Sequence, residues 1–91
     1  MIYFVYGITD CPACLRACAA LMESDLEYVF VETDFAKSYR VQLKKQHRWS
    51  TFPIIVRRTN TGPELETLET LIIGGYDELT RHLNSKGNTI T

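Results

Sequence analysis

The chain has 91 residues, 45% of them hydrophobic and 23% charged, with a net charge of −1. That size suits one domain over residues 1–91 with a two-layer core and excludes two cores; the near-neutral charge excludes a global pull toward nucleic acid or an acidic membrane. The three cysteines are odd in number and too few for a secreted disulfide framework, so they fit an intracellular redox protein and a cytoplasmic location.

Taken from its start, Met1 to Tyr6 reads as a buried strand, β-branched and aromatic without charge, ended by Gly7. It has no basic stretch before it and no small-residue cleavage site after it, so no signal peptide is expected. No stretch approaches the ~20 apolar residues of a membrane span. Pro12 to about Ser24 reads as a helix, because proline is preset for a first helical position. Leu15, Cys18, Ala19 and Met22 recur at helical spacing, which predicts the buried face. Glu27 to Thr33 reads as a second strand around Tyr28, Val29, Phe30 and Val31. Asp34 is placed to cap a second helix, about Ala36 to His47. Lys37, Arg40, Lys44 and Arg48 lie three or four apart there and form a basic stripe. The stripe is either a solvated face or an attractor of a carboxylate-bearing substrate or acidic partner.

Pro53 to Arg58 reads as a third strand. The turn cluster Thr59-Asn60-Thr61-Gly62-Pro63 predicts a hairpin to a fourth strand ending at Ile73, which Gly74-Gly75 breaks. Asp77 to about Lys86 reads as the last helix, with Leu79, His82 and Leu83 inward; Gly87 ends it, and Asn88 to Thr91 form a frayed tail. The order β-α-β-α-β-β-α sets two parallel strands around a crossover helix before a hairpin.

The chemistry concentrates at Cys11 and Cys14, a C-x-x-C pair where the first strand gives way to the first helix, beside a β-α-β unit. Unpaired N–H groups and the helix dipole favour a thiolate on Cys11, while Asp10 opposes it. Cys14, one turn further in, is the resolving thiol and Cys11 the attacking one. A structural zinc site needs four ligands. Beyond the pair only Cys18, His47 and His82 remain, with no second C-x-x-C, so no metal is expected. Cys18 reads as a small buried hydrophobe, with a secondary redox role as its alternative.

Three ordered stretches together resemble the glutaredoxin family. Cys11-Pro12-Ala13-Cys14 looks like its dithiol C-P-x-C active site. Thr51-Phe52-Pro53 looks like its T-V-P segment, in which the proline is cis. Ile73-Gly74-Gly75-Tyr76-Asp77 looks like its glutathione-side motif. The resemblance implies an α/β, thioredoxin-like fold, a four-stranded mixed sheet flanked by three helices. It further implies a dithiol glutaredoxin that uses glutathione to reduce protein disulfides and glutathione mixed disulfides. Thr51, Phe52 and Pro53 would then hold the cysteinyl unit of glutathione and Gly75, Tyr76 and Asp77 its γ-glutamyl end, Asp77 also capping the last helix. Partners implied are glutathione and disulfide-bearing or glutathionylated proteins, ribonucleotide reductase among them, met by a monomer without nucleic acid or membrane.

Two positions depart from the family. Ala13 stands where many members have tyrosine, and Ile8 where they often have lysine. Arg48 or another member of the basic stripe is the candidate to supply the missing charge. The departures keep a second electron donor open, thioredoxin reductase in place of glutathione. A third reading, a [2Fe–2S] binding module across a dimer, is opposed by the intact cysteine pair and Pro12.

Overall fold

A computed structural model describes residues 1–60 and 68–88. Its elements run β1 (Ile2–Gly7), α1 (Pro12–Glu23), β2 (Tyr28–Glu32), α2 (Lys37–His47), β3 (Ile54–Asn60), β4 (Leu68–Gly74) and α3 (Tyr76–Asn88), in the expected order. The strands form one mixed sheet, β2-β1-β3-β4. β1 pairs parallel with β2 and antiparallel with β3, and β3 pairs antiparallel with β4. The hairpin is therefore present; residues 61–63 of its predicted turn, and 89–91 of the predicted tail, lie outside the described residues.

Side chains alternate across the sheet with the period of two that strands impose. Tyr3, Val5 and Ile55 face one side, where Ala17 and Leu21 of α1 and Leu79 of α3 cover them. Tyr6, Ile54 and Val56 face the other, where Leu43 of α2 covers them with Tyr39, Trp49 and Phe52 at the margin. A hydrogen bond of 3.0 Å joins the Tyr3 hydroxyl to His82 Nε2 across the first layer.

Several expectations need correction. α1 does not bury the face read from its spacing: Leu15 and Met22 are 69% and 65% exposed, and Ala19 is exposed. Cys14, Ala17 and Leu21 point inward instead, with Cys18 packed partly against the same layer. Ala17 is buried among Tyr3, Val5 and Ile55, and the same face of the helix carries the Cys14 sulfur to Gly7 of β1. Asp34 does not cap α2. Ala36 holds the N-cap with no side-chain hydrogen bond, because the Asp34 carboxylate is taken by Thr9, whose N–H lies 2.9 Å from both oxygens and whose hydroxyl also donates to it. Nor does Asp77 cap α3. The helix starts at Tyr76, and Glu78 Oε1 accepts from the Gly75 N–H at 3.0 Å, half of a capping box. α3 also passes through Gly87 to Asn88. Val29 and Phe30, read as part of an apolar strand centre, lie on an edge strand and are partly exposed.

Candidate active site

α1 begins where the chain turns sharply after β1. Asp10 takes a left-handed φ of 55°, a conformation Asp tolerates better than most residues. Cys11 follows in extended backbone as N-cap and Pro12 occupies the first helical position. The Cys14 N–H donates to the Cys11 Sγ at 3.2 Å, so the sulfur fills the place a serine oxygen fills in an ordinary cap. Cys11 is partly exposed, whereas Cys14 is only 1% exposed. Burial, together with donation of its thiol proton to Cys11, pushes the Cys14 thiol up to about 12. Burial also raises the Cys18 thiol, in the absence of any disulfide.

Gly7 makes the room for Cys14. A Cβ at position 7 would lie 2.9 Å from the Cys14 Sγ and 2.7 Å from the Phe30 ring. The second sulfur therefore sits in a slot between a bare stretch of β1 and a ring from the edge strand. On the other flank, the Thr9 contacts with Asp34 and a 3.0 Å bond from its hydroxyl to Glu32 tie the segment before Cys11 to the end of β2.

All six residues expected to contact glutathione converge. Thr51, Phe52, Pro53, Gly75, Tyr76 and Asp77 line one cleft of about 260 Å³, together with Ala13 from between the two cysteines. The Phe52–Pro53 peptide is cis, as the resemblance implied. Sequence reasoning missed three further members of the wall: Arg16, Trp49 and Glu78. Trp49 arrives through the end of α2, where Arg48 takes a left-handed φ of 52° and the Trp49 N–H closes back on the Lys44 carbonyl at 3.1 Å. Its indole N–H is buried without a hydrogen-bond partner, 3.7 Å from where a Cβ of Gly75 would stand. A buried donor of this kind fits a ligand with carboxylate or carbonyl oxygens. A tryptophan two residues before Thr51 was the only available signal.

A second depression, about 240 Å³, adjoins the first through Phe52. Ile8, Lys37, Arg40, Val41 and Lys44 line the rest of it. Three members of the basic stripe therefore gather beside Ile8. Arg48 lines a different depression, with Lys44, Lys45, Trp49 and Ser50. Among the described residues no three His, Cys, Asp or Glu side chains converge as a metal site, and no helix is long and apolar enough to cross a membrane.

Comparison with known proteins bears on the family and the fold. A family model for glutaredoxin matches residues 2–59. The structure of reduced Escherichia coli glutaredoxin superposes with a TM-score of 0.70, at 19% identity, over 97% of this chain and 99% of that one; at such identity the likeness speaks for the fold. No curated protein matches by sequence.

Proposed function

Because the chain belongs to the glutaredoxin family, and so is a thiol–disulfide oxidoreductase, we propose that it is a dithiol enzyme with glutathione as its reducing co-substrate. Cys11 is the nucleophile. Its sulfur attacks a protein disulfide or a glutathione mixed disulfide, and the departing sulfur leaves as a thiolate. When the adduct is a protein, Cys14 attacks the Cys11 sulfur, releases the partner and leaves a Cys11–Cys14 disulfide. Two glutathione molecules then reduce that bond in successive exchanges. Disulfide-bearing and glutathionylated proteins are the substrates, ribonucleotide reductase being the one the family resemblance names, and the working form is a monomer in the reducing cytoplasm.

The observation that carries this reading is the asymmetry of the pair. One sulfur is partly exposed at a helix N-terminus and receives an N–H; the other is buried and keeps its proton. An exposed attacker beside a protonated second thiol is the division of labour a dithiol mechanism needs. The unpartnered Trp49 donor on the cleft wall supports a ligand with carboxylate or carbonyl oxygens, as glutathione has.

The decisive experiment compares two variants on two substrates, with glutathione and glutathione reductase as the electron supply. Cys14→Ser retains turnover of a glutathionylated peptide and loses reduction of a protein disulfide. Cys11→Ser loses both by about a hundredfold or more, as removal of an essential nucleophile does. Activity retained by Cys11→Ser would end the proposal. Turnover with thioredoxin reductase and NADPH but not with glutathione would keep the cysteine roles and replace the electron donor.

A further inference from the structure

Half of the chain's ten lysines and arginines fall between positions 37 and 48: Lys37, Arg40, Lys44, Lys45 and Arg48. No carboxylate interrupts that stretch, although the whole chain is slightly acidic. None of the five forms an ion pair with a described carboxylate. The only ion pair among the described residues joins Arg81 to Glu78, on α3. Asp34, the carboxylate closest to the stripe along the chain, is hydrogen-bonded by Thr9 and also feels the charge of Arg40.

Lys37, Arg40 and Lys44 border a groove that also has an apolar lining. Val41, nearly half exposed, Ile8 and Phe52 line it together with the cations. The Lys44 ammonium stands 5.4 Å from the Phe52 ring centroid. Ile8 precedes Cys11 by three residues, and Phe52 is shared with the cleft beside Ala13. The groove therefore adjoins the cleft beside Ala13 through Phe52, on the α2 side of the sheet.

We propose that this groove docks an acidic segment of a protein substrate while that protein's disulfide is exchanged at Cys11. The inference rests on Cys11 being the attacking thiol, and it names the class of protein that the site prefers. Cations complement aspartate and glutamate side chains, and the exposed apolar lining takes the aliphatic or aromatic residues of the same segment. A phosphate backbone would use the cations and leave Val41 and Ile8 without a partner. Charge complementarity of this kind chiefly raises the rate of productive encounter, by about 10- to 1,000-fold at low salt, and salt removes the gain. In the exchange itself, Cys11 forms a bond to one sulfur of the substrate and the substrate S–S bond breaks. Cys14 then loses its proton to solvent and attacks the Cys11 sulfur, the mixed disulfide breaks, and the substrate's second sulfur leaves as a thiolate that takes up a proton. Two electrons pass to the substrate dithiol, and the Cys11–Cys14 disulfide remains on the protein.

The test uses the reduced full chain without glutathione, reacted in single turnover with three peptides that share one intramolecular disulfide. Their flanks are acidic, neutral or basic. Neutral dithiodipyridine, with the modified cysteine identified by peptide mass, reports on Cys11 without charge on the reagent. The acidic peptide reacts about tenfold faster than the basic one at low salt, and the gap closes near about 0.5 M salt. The double variant Lys37→Glu with Lys44→Glu, both exposed positions, reverses the order of the peptides and leaves the dithiodipyridine rate within about twofold of the parent. Lys37→Glu alone halves the gap should the double variant fold poorly. Equal rates for acidic and basic peptides, or an order that survives charge reversal, overturn the proposal. So does slowing of the neutral peptide by a single-stranded oligonucleotide with no advantage for the acidic one, which would give the surface to nucleic acid. Dithiodipyridine that leaves Cys11 unmodified removes the nucleophile, and with it both this proposal and the enzyme mechanism.

Discussion

Cys11 and Cys14 share one turn of helix but sit in different surroundings, and the difference has a measurable consequence for stability. Burial and the bond to Cys11 hold the Cys14 thiol at about 12, above its ordinary 9.0. A thiol raised in the folded state supports the fold below its unfolded value, because the native form keeps a proton that the unfolded chain releases. That support is complete below about pH 9 and is lost as pH rises toward 12. Urea midpoints of the reduced protein are therefore expected to fall across this window, and the Cys14→Ala variant to show a shallower fall; parallel slopes would count against the account. The pair itself was legible in sequence, since the spacing and Pro12 fix a helix start on their own. The slot around the second sulfur was not. Gly7 and Phe30 meet it only through the parallel pairing of β1 with β2, a contact between residues far apart in the chain. Trp49 was hidden in the same way, brought to Gly75 by the turn after α2.

At the scale of elements, the strands and helices followed from periodicity, while their caps and faces did not. α1 carries apolar or small residues on more than half its circumference, so spacing alone could not choose between the arc of Leu15 and Met22 and that of Cys14, Ala17 and Leu21. Packing against β1 chose the second, where small side chains allow close approach. α2 lost its expected cap because Asp34 had a better partner in Thr9. The helix therefore begins at Ala36 in extended backbone, φ −141° and ψ 93°, with no side-chain acceptor for its first N–H groups. Ala36→Ser supplies that acceptor and is expected to stabilise the protein by about 0.5–2 kcal/mol, read as a shift in denaturation midpoint at constant m-value. No change would mean that solvent already satisfies those groups. The helix ends at Arg48 and Gly75 bring Trp49 and the α3 N-terminus to the cleft.

Across the whole molecule, one sheet separates two apolar layers, and every site segment leaves the sheet near one end: the β1–α1 turn, the Phe52–Pro53 approach to β3 and the β4–α3 turn. Ile55 lies fully buried in one layer and Leu43 nearly so in the other. Ile55→Ala and Leu43→Ala are each expected to cost about 2–5 kcal/mol, and each to give one unfolding transition by near- and far-ultraviolet circular dichroism alike, as expected of a single domain. Separate transitions would show that the layers fail independently. The overall order of strands and helices was readable because alternation within strands and the helix starts agree with each other; the division of the core was not, because it depends on which neighbour each strand finds. The slot at Gly7 carries this beyond the present chain. Positions 7, 14 and 30 meet at one point, though they come from two strands and a helix. An engineer who transplanted only the loop and its two sulfurs into another scaffold would move the reagent without its holder, and the inner sulfur would meet whatever side chains the new host happened to offer.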